Sequence, residues 1–177
     1  MNDGRRRLAG DGGGGNRSVA ERLHRCHDKI RAFLDLAEKV AARDGLPEVV
    51  EEGAADVGRY FGSAFQEHVE DENVSVFPRL AARADLALPL ADRAIAEHVR
   101  DDLLVRELTS LSLAIAEQRA TAQTFQRLAD VVKELGPRLR DHLEFEEELL
   151  FPMLADLPPE EERAIKDEMR ARRDGRP

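Results

Sequence analysis

Apolar residues recur along the chain at intervals of three and four, the period of a helix with one buried face. From Ser18 the stripe Leu23, His27, Ile30, Leu34, Ala37 and Ala41 predicts a first helix that ends near Ala42. Ser18 and Glu21 have the spacing of a capping box at its start. Gly45 and Pro47 mark a stop and a fresh first turn. A second helix is predicted from Pro47 to Phe77 on the stripe Val57, Phe61, Phe65, His68, Glu72 and Val76, with Pro78 in or just after its last turn. Gly53 and Gly58 weaken its early turns, so a kink or late start is expected there. A third helix is predicted from near Pro89 to about Glu117, with Ala91, Ile95, His98, Asp102 and Val105 on one face. The fourth runs from Thr121 to Leu154 and carries Val131, Leu135, Leu139, His142, Glu146, Leu149 and Met153.

The segment "LPPEEERAIKDEMRARR" opens on Pro158 and Pro159, fills its first turn with acids and its last with arginines. That is the charge order a helix dipole favours, and it predicts a short fifth helix. Four long helices with short connections predict an all-α, antiparallel up-down four-helix bundle followed by a short C-terminal helix. The expected organisation is a Gly/Arg-rich disordered tail over 1–17, the bundle over 18–157, and a charged helix and tail over 158–177.

Composition changes the picture little. Alanine, leucine, glutamate and arginine dominate, aromatics are 5%, and charged residues reach 36%, all in favour of helices. A net charge of −9 argues against a nucleic-acid partner, and the one basic run, Arg5 to Arg7, lies in the tail. The single cysteine, Cys26, excludes an intramolecular disulfide and fits a reducing compartment. The chain lacks both a run of about 18 apolar residues and the apolar core of a secretory signal. A cytoplasmic protein without a membrane contact is expected, and the sequence points to no protein partner.

The chemistry lies in a repeated motif. "EHVEDENVSVFP" spans Glu67 to Pro78, and "DHLEFEEELLFP" spans Asp141 to Pro152. Both place a histidine four residues before a glutamate and ten before a Phe-Pro proline, 74 residues apart. His27, His68, His98 and His142 each lie on a core stripe, one per helix. Glu72 and Glu146 follow one turn after His68 and His142 on the same face. Buried carboxylates need compensation, and no Lys or Arg stands on those stripes at that level. A bound cation, or a pair, would compensate them. The donor set is too nitrogen-rich for calcium or magnesium and suits iron, zinc, copper or nickel. Two inward glutamates could each bridge two metals, leaving roughly two histidines for each and an open position for a small ligand.

These residues, with "CHDKIRAFL" upstream and "AEHVRDD" between, resemble the hemerythrin-like family of cation-binding (HHE) domains over roughly residues 20–155. The resemblance implies a non-haem di-iron centre: two iron ions with an oxo or hydroxo bridge. His68, His98 and His142 would be terminal ligands, and Glu72 and Glu146 bridging carboxylates. Helix one offers two histidines. The stripe favours His27, in the family's H-x-x-I-x-x-x-L context. The repeat register selects His24, which stands 74 residues before His98 and 44 before His68, as His98 stands 44 before His142. Both could bind, because some family members have a fifth histidine ligand. The implied function is binding or sensing of a diatomic ligand (dioxygen or nitric oxide), or iron handling. The alternative is a di-iron enzyme turning over peroxide or nitric oxide. The family's iron–sulfur repair role is disfavoured, since an added cysteine-bearing N-terminal segment is lacking. A ferritin-like carboxylate site would need Glu-x-x-His on two helices, and only Glu21 and His24 have that spacing. Asp102, Glu147 and Glu148 are expected at the solvated surface, Tyr60 in packing, and Cys26 as a small buried or flanking residue.

Overall fold

A computed structural model describes residues 17–175; all of the expected tail over 1–17 except Arg17 lies outside the described residues. All secondary structure among the described residues is helical. The first rod is α1 (Val19–Ala42). Its capping box forms as predicted: Glu21 N donates to Ser18 Oγ at 3.1 Å, and Ser18 N donates to Glu21 Oε2 at 2.7 Å. The second rod is continuous but not uniform. It runs α2 (Pro47–Arg59), a π-helical turn Tyr60–Ala64, α3 (Phe65–Glu70), a second π turn Asp71–Val76, and α4 (Phe77–Ala81). The third rod is α5 (Ala87–Ala116). The fourth is α6 (Ala122–Phe145), a π turn Glu146–Leu150 and a 3-10 stretch Phe151–Asp156. The short α7 (Pro159–Asp174) follows, with glutamates in its first turn and arginines in its last.

Each rod packs on its sequence neighbour, and α6 closes the ring on α1, the up-down bundle that the pattern predicts. The second rod passes the expected end at Phe77 because a π turn precedes each Phe-Pro. In a regular α-helix the proline ring would clash with the carbonyl four residues back; a wider turn relieves the clash. Both copies of the motif solve the same problem in the same way, at Pro78 and at Pro152. α5 starts at Ala87 rather than Pro89, because a proline is tolerated in the first turn, where amides lack helical partners.

The helix neither starts late nor breaks at Gly53 and Gly58. α2 is regular through both, and the glycines serve close packing instead. A Cβ on Gly53 would lie 3.2 Å from Val40 Cγ2, and one on Gly58 would lie 2.8 Å from Leu113 Cδ2.

The core is divided. One apolar cluster holds Ile30, Leu34, Phe61, Leu108 and Leu135; the other holds Leu23, Phe77, Ala91, Leu150 and Phe151. At about 1.5–3 kcal/mol for each fully buried large apolar side chain, these two clusters carry the folding energy. Between them lies a polar layer. His27 sits between Leu23 and Ile30, His68 between Phe65 and Val76, His98 between Ala94 and Val105, and His142 between Leu139 and Phe145. On every rod the histidine marks the border between the clusters.

Candidate metal centre

The polar layer brings together six of the seven candidate residues. His27, Glu72 and Glu146 are fully buried, and His68, His142 and His98 nearly so. His27 Nε2 lies 3.3 Å from Glu146 Oε2 and 3.6 Å from Glu72 Oε1. His68 Nε2 lies 3.4 Å from Glu72 Oε2, and His98 Nε2 lies 3.6 Å from the same oxygen. His142 Nε2 lies 3.1 Å from Glu146 Oε1. The donor atoms fall into two groups, His27–His68–Glu72–Glu146 and His98–His142–Glu146, each with its atoms within 4.8 Å of one another. Glu146 belongs to both.

His24 stays outside. Its side chain is 49% exposed, with Nδ1 3.7 Å from Glu147 Oε1. Its ring meets Phe151 edge-on at 5.1 Å.

The outer nitrogens explain which way the inner ones face. His27 Nδ1 donates to Glu147 Oε1 at 2.9 Å, His98 Nδ1 to Asn73 Oδ1 at 2.9 Å, and His142 Nδ1 to Glu97 Oε2 at 2.8 Å. An imidazole that donates from Nδ1 presents a bare Nε2 lone pair on its other side. Three such lone pairs therefore point at two carboxylates. His142 Nε2 and His98 Nε2 stand 2.8 Å apart, an arrangement that needs a proton or a cation between them. All four carboxylate oxygens of Glu72 and Glu146, and His27 Nε2, are buried without a hydrogen-bond partner. Such groups cost about 1–3 kcal/mol each when left unsatisfied, more when charged. Imidazole nitrogens and carboxylate oxygens that converge unpartnered are the donor set of a transition-metal site.

Without a cation, protons do part of its work. Burial alone would make His27 less basic, yet the Glu146 and Glu72 carboxylates raise it to about 9. The same contest, against burial and in favour of Glu146, raises His142 to about 9. Burial and then the charge of Glu146 lift Glu72 to about 8. Glu146 resists burial because His142 and His27 hold its carboxyl well below the usual range. Burial pushes His98 down to about 4, and burial with the charge of His27 pushes His68 down well below its ordinary value. A metal ion would displace the protons from His27, His142 and Glu72.

Several surrounding residues depart from expectation. Glu147, expected at the surface, is a partner of His27 and of Arg31, whose two guanidinium nitrogens donate to it at 2.9 Å each. Its phase is inward because the π turn beginning at Glu146 widens the helix there. The same turn exposes Leu149 at 45% and buries Leu150, which takes the place expected for Leu149 on the core stripe. On α5 the buried carboxylate is Asp101, paired with Arg100 and Arg138, while Asp102 pairs outward with Arg106. Glu97 and Asn73 were not singled out from the sequence; their adjacency to His98 and Glu72 was the available signal. Tyr60 is packing, stacked on Phe33 at 4.0 Å. Cys26 is partly buried, and burial raises its thiol pKa.

No described helix is long and apolar enough to cross a membrane. Among curated proteins none matches the chain significantly. The hemerythrin HHE cation binding domain matches residues 18–154, which take in residues of all four rods and both groups of donor atoms. The chain therefore belongs to the hemerythrin-like, HHE cation-binding family.

Proposed function

We propose that the protein is a non-haem di-iron protein that binds or senses a diatomic ligand, dioxygen or nitric oxide. The observation that supports this reading is the pair of donor groups sharing Glu146, each with two histidines. Two irons fit that pairing, with His27 and His68 on one, His98 and His142 on the other, and Glu146 and Glu72 between them. The mixed imidazole and carboxylate set suits iron among the transition metals. Iron held by so few protein donors would supply open positions for a small ligand.

The chain's own residues limit what can reach those positions. A cavity of about 30 Å³ adjoins the second group, lined by the apolar Phe65, Val69, Val105 and Leu139 and by the polar Gln66, Glu97, Asp101, Asp102, His98 and His142. That is roughly the share of one water molecule, room for a diatomic and not for an organic substrate. Glu97, Asn73 and Glu147 keep the imidazoles turned inward as ligands. These features favour binding over turnover of a larger substrate, and peroxide remains the largest guest the cavity suits.

Metal analysis and an optical spectrum of freshly purified protein test the reading. Close to two irons per chain are expected, with near-ultraviolet charge-transfer absorption that changes on exposure to dioxygen or nitric oxide. Protein from iron-replete cells that carries no transition metal would sink the proposal.

A further inference from the structure

α7 lies beyond the residues that match the family domain, yet it reaches the backbone beside Glu72. Its apolar face, Ile165 and Met169, completes the apolar cluster on that side of the polar layer. Its last turn carries Arg172 and Arg173. Arg172 Nη1 donates to Asp71 Oδ1 at 2.6 Å, and Arg172 Nη2 donates to Ser75 Oγ at 2.5 Å. Arg173 Nη2 donates to Asp71 Oδ2 at 2.6 Å. Asp71 and Ser75 are both fully buried.

The position of these contacts matters more than their strength. Asp71 is the first residue of the π turn Asp71–Val76, and Glu72 and Asn73 are its second and third. One guanidinium, that of Arg172, therefore grips this turn on both sides of Glu72 and Asn73. Glu72 faces the metal-ligating groups, and Asn73 accepts the Nδ1 proton of His98. A π turn is a widened and less regular stretch of helix, so its register depends on outside contacts more than that of an α-turn does. The other copy of the motif lacks this pair of polar anchors: Phe145, the counterpart of Asp71, is buried in the apolar cluster, Leu149, the counterpart of Ser75, is exposed, and Arg31 instead holds Glu147 within the turn.

We propose that Arg172 and Arg173 are positioning residues of the metal centre: α7 clamps the π turn that aims Glu72 and Asn73, and so sets metal affinity and geometry. The proposal rests on the reading of the polar layer as a metal centre. It predicts that metal binding responds to the last turn of α7 and not to its docking in general.

A second contact of α7 supplies the control. Arg83 Nε lies 3.4 Å from Glu161 Oε2 in the first turn of α7, and Glu161→Ala severs that pair without touching Asp71, Ser75 or Arg172. The probe is Co²⁺, whose visible bands report coordination geometry, titrated into the full chain in competition with a chromophoric chelator. The double variant Arg172→Ala/Arg173→Ala should bind Co²⁺ about 10–100-fold more weakly, with altered bands. Glu161→Ala should keep the wild-type affinity and bands. Should the double variant not fold, Arg172→Lys serves, since an ammonium keeps the charge but cannot span Asp71 and Ser75 together. It should fold and shift the bands. Wild-type bands and affinity in the folded arginine variants, or an equal change in Glu161→Ala, would overturn the clamp. Failure of the wild-type chain to bind Co²⁺ would instead overturn the metal-centre reading, and the clamp with it.

Discussion

The two copies of the motif are alike in their inner faces and unlike in their outer ones. Counting 74 residues on from the first copy, Val76 corresponds to Leu150, Phe77 to Phe151 and Leu80 to Leu154, and all six are buried. Asn73 corresponds to Glu147, and each accepts the Nδ1 proton of a histidine from the other half of the bundle, His98 and His27. The exchange is crossed between the two halves of the bundle. The outer faces differ because α7 covers only the first copy. There, polar Asp71 and Ser75 meet arginines; in the second copy Phe145 lies beneath Arg93, whose guanidinium sits 3.8 Å above the ring. Ligand chemistry constrains the face that both copies share. The neighbour decides the rest.

The largest effect expected from breaking this symmetry is at the two glutamates. Glu146 belongs to both donor groups and Glu72 to one. Glu146→Ala should therefore bring metal content near zero, while Glu72→Ala retains about half through His98, His142 and Glu146. Metal per chain, measured on folded protein, checks this. Equal losses in the two variants would mean that both glutamates bridge to the same degree.

The next effect is one of pH, and it contrasts the metal-free centre with the loaded one. His27 and His142 are raised from 6.5 to about 9, so the folded metal-free chain keeps protons that the unfolded chain has lost. Their stabilisation is complete below pH 6.5 and disappears as pH rises through 9. Glu72, raised from 4.5 to about 8, acts in the same direction, since its ionisation is opposed in the folded state. Glu146 acts oppositely, but its contribution is already complete above pH 4.5. Metal-free protein should thus lose on the order of a few kcal/mol between pH 6.5 and 9. Loaded protein, with a cation in place of those protons, should not. Melting temperatures of both forms across that range provide the test, and a constant gap would contradict it.

Much of this was legible in the sequence, for identifiable reasons. The periodicity of Leu23, His27, Ile30 and Leu34 put His27 on the buried face and His24 about 60° away from it, and the structure separates them accordingly. Local signals such as the Ser18–Glu21 box and Pro47 located the helix ends. What escaped was anything that depends on a change of helical pitch. A stripe drawn at 3.6 residues per turn selected Leu149; the repeat itself, through Val76, would have selected Leu150. The inward-turned, partly buried Glu147 escaped for the same reason. The choice between Asp101 and Asp102 depended on Arg138, which lies on another rod and is not adjacent in the chain. Likewise, Asp71 became intelligible only once α7 was folded onto it.

A smaller substitution sharpens the comparison of Asn73 with Glu147. Glu147→Gln converts the charged buttress of the second copy into the amide type of the first, keeping an acceptor for His27 Nδ1. Loss of that charge makes His27 a weaker donor and frees Arg31, and should weaken metal binding by about 10-fold, the low end for such partners. Asn73→Asp should act in the opposite sense on His98. Competition with a chelator reads both. Unchanged affinity in Glu147→Gln would leave orientation, and not charge, as the function of the buttress.

The smallest effect belongs to His24, and it tests the register on which helix one is read. His24 is half exposed, and its nearest charged atom is Glu147 Oε1 at 3.7 Å, an oxygen already bound by His27 and Arg31. Removing it loses an edge-on contact with Phe151 and leaves the inner nitrogens untouched. His24→Ala should therefore keep the full metal content, with stability within about 0.5 kcal/mol of wild type, as at most surface positions. His27→Ala, by contrast, removes the nitrogen that faces Glu72 and Glu146 at once, and should deplete the group that contains it. Metal content and optical spectrum of the two variants, side by side, separate the readings. Depletion by His24→Ala equal to that by His27→Ala would mean that helix one turns or opens on metal binding to bring both imidazoles inward.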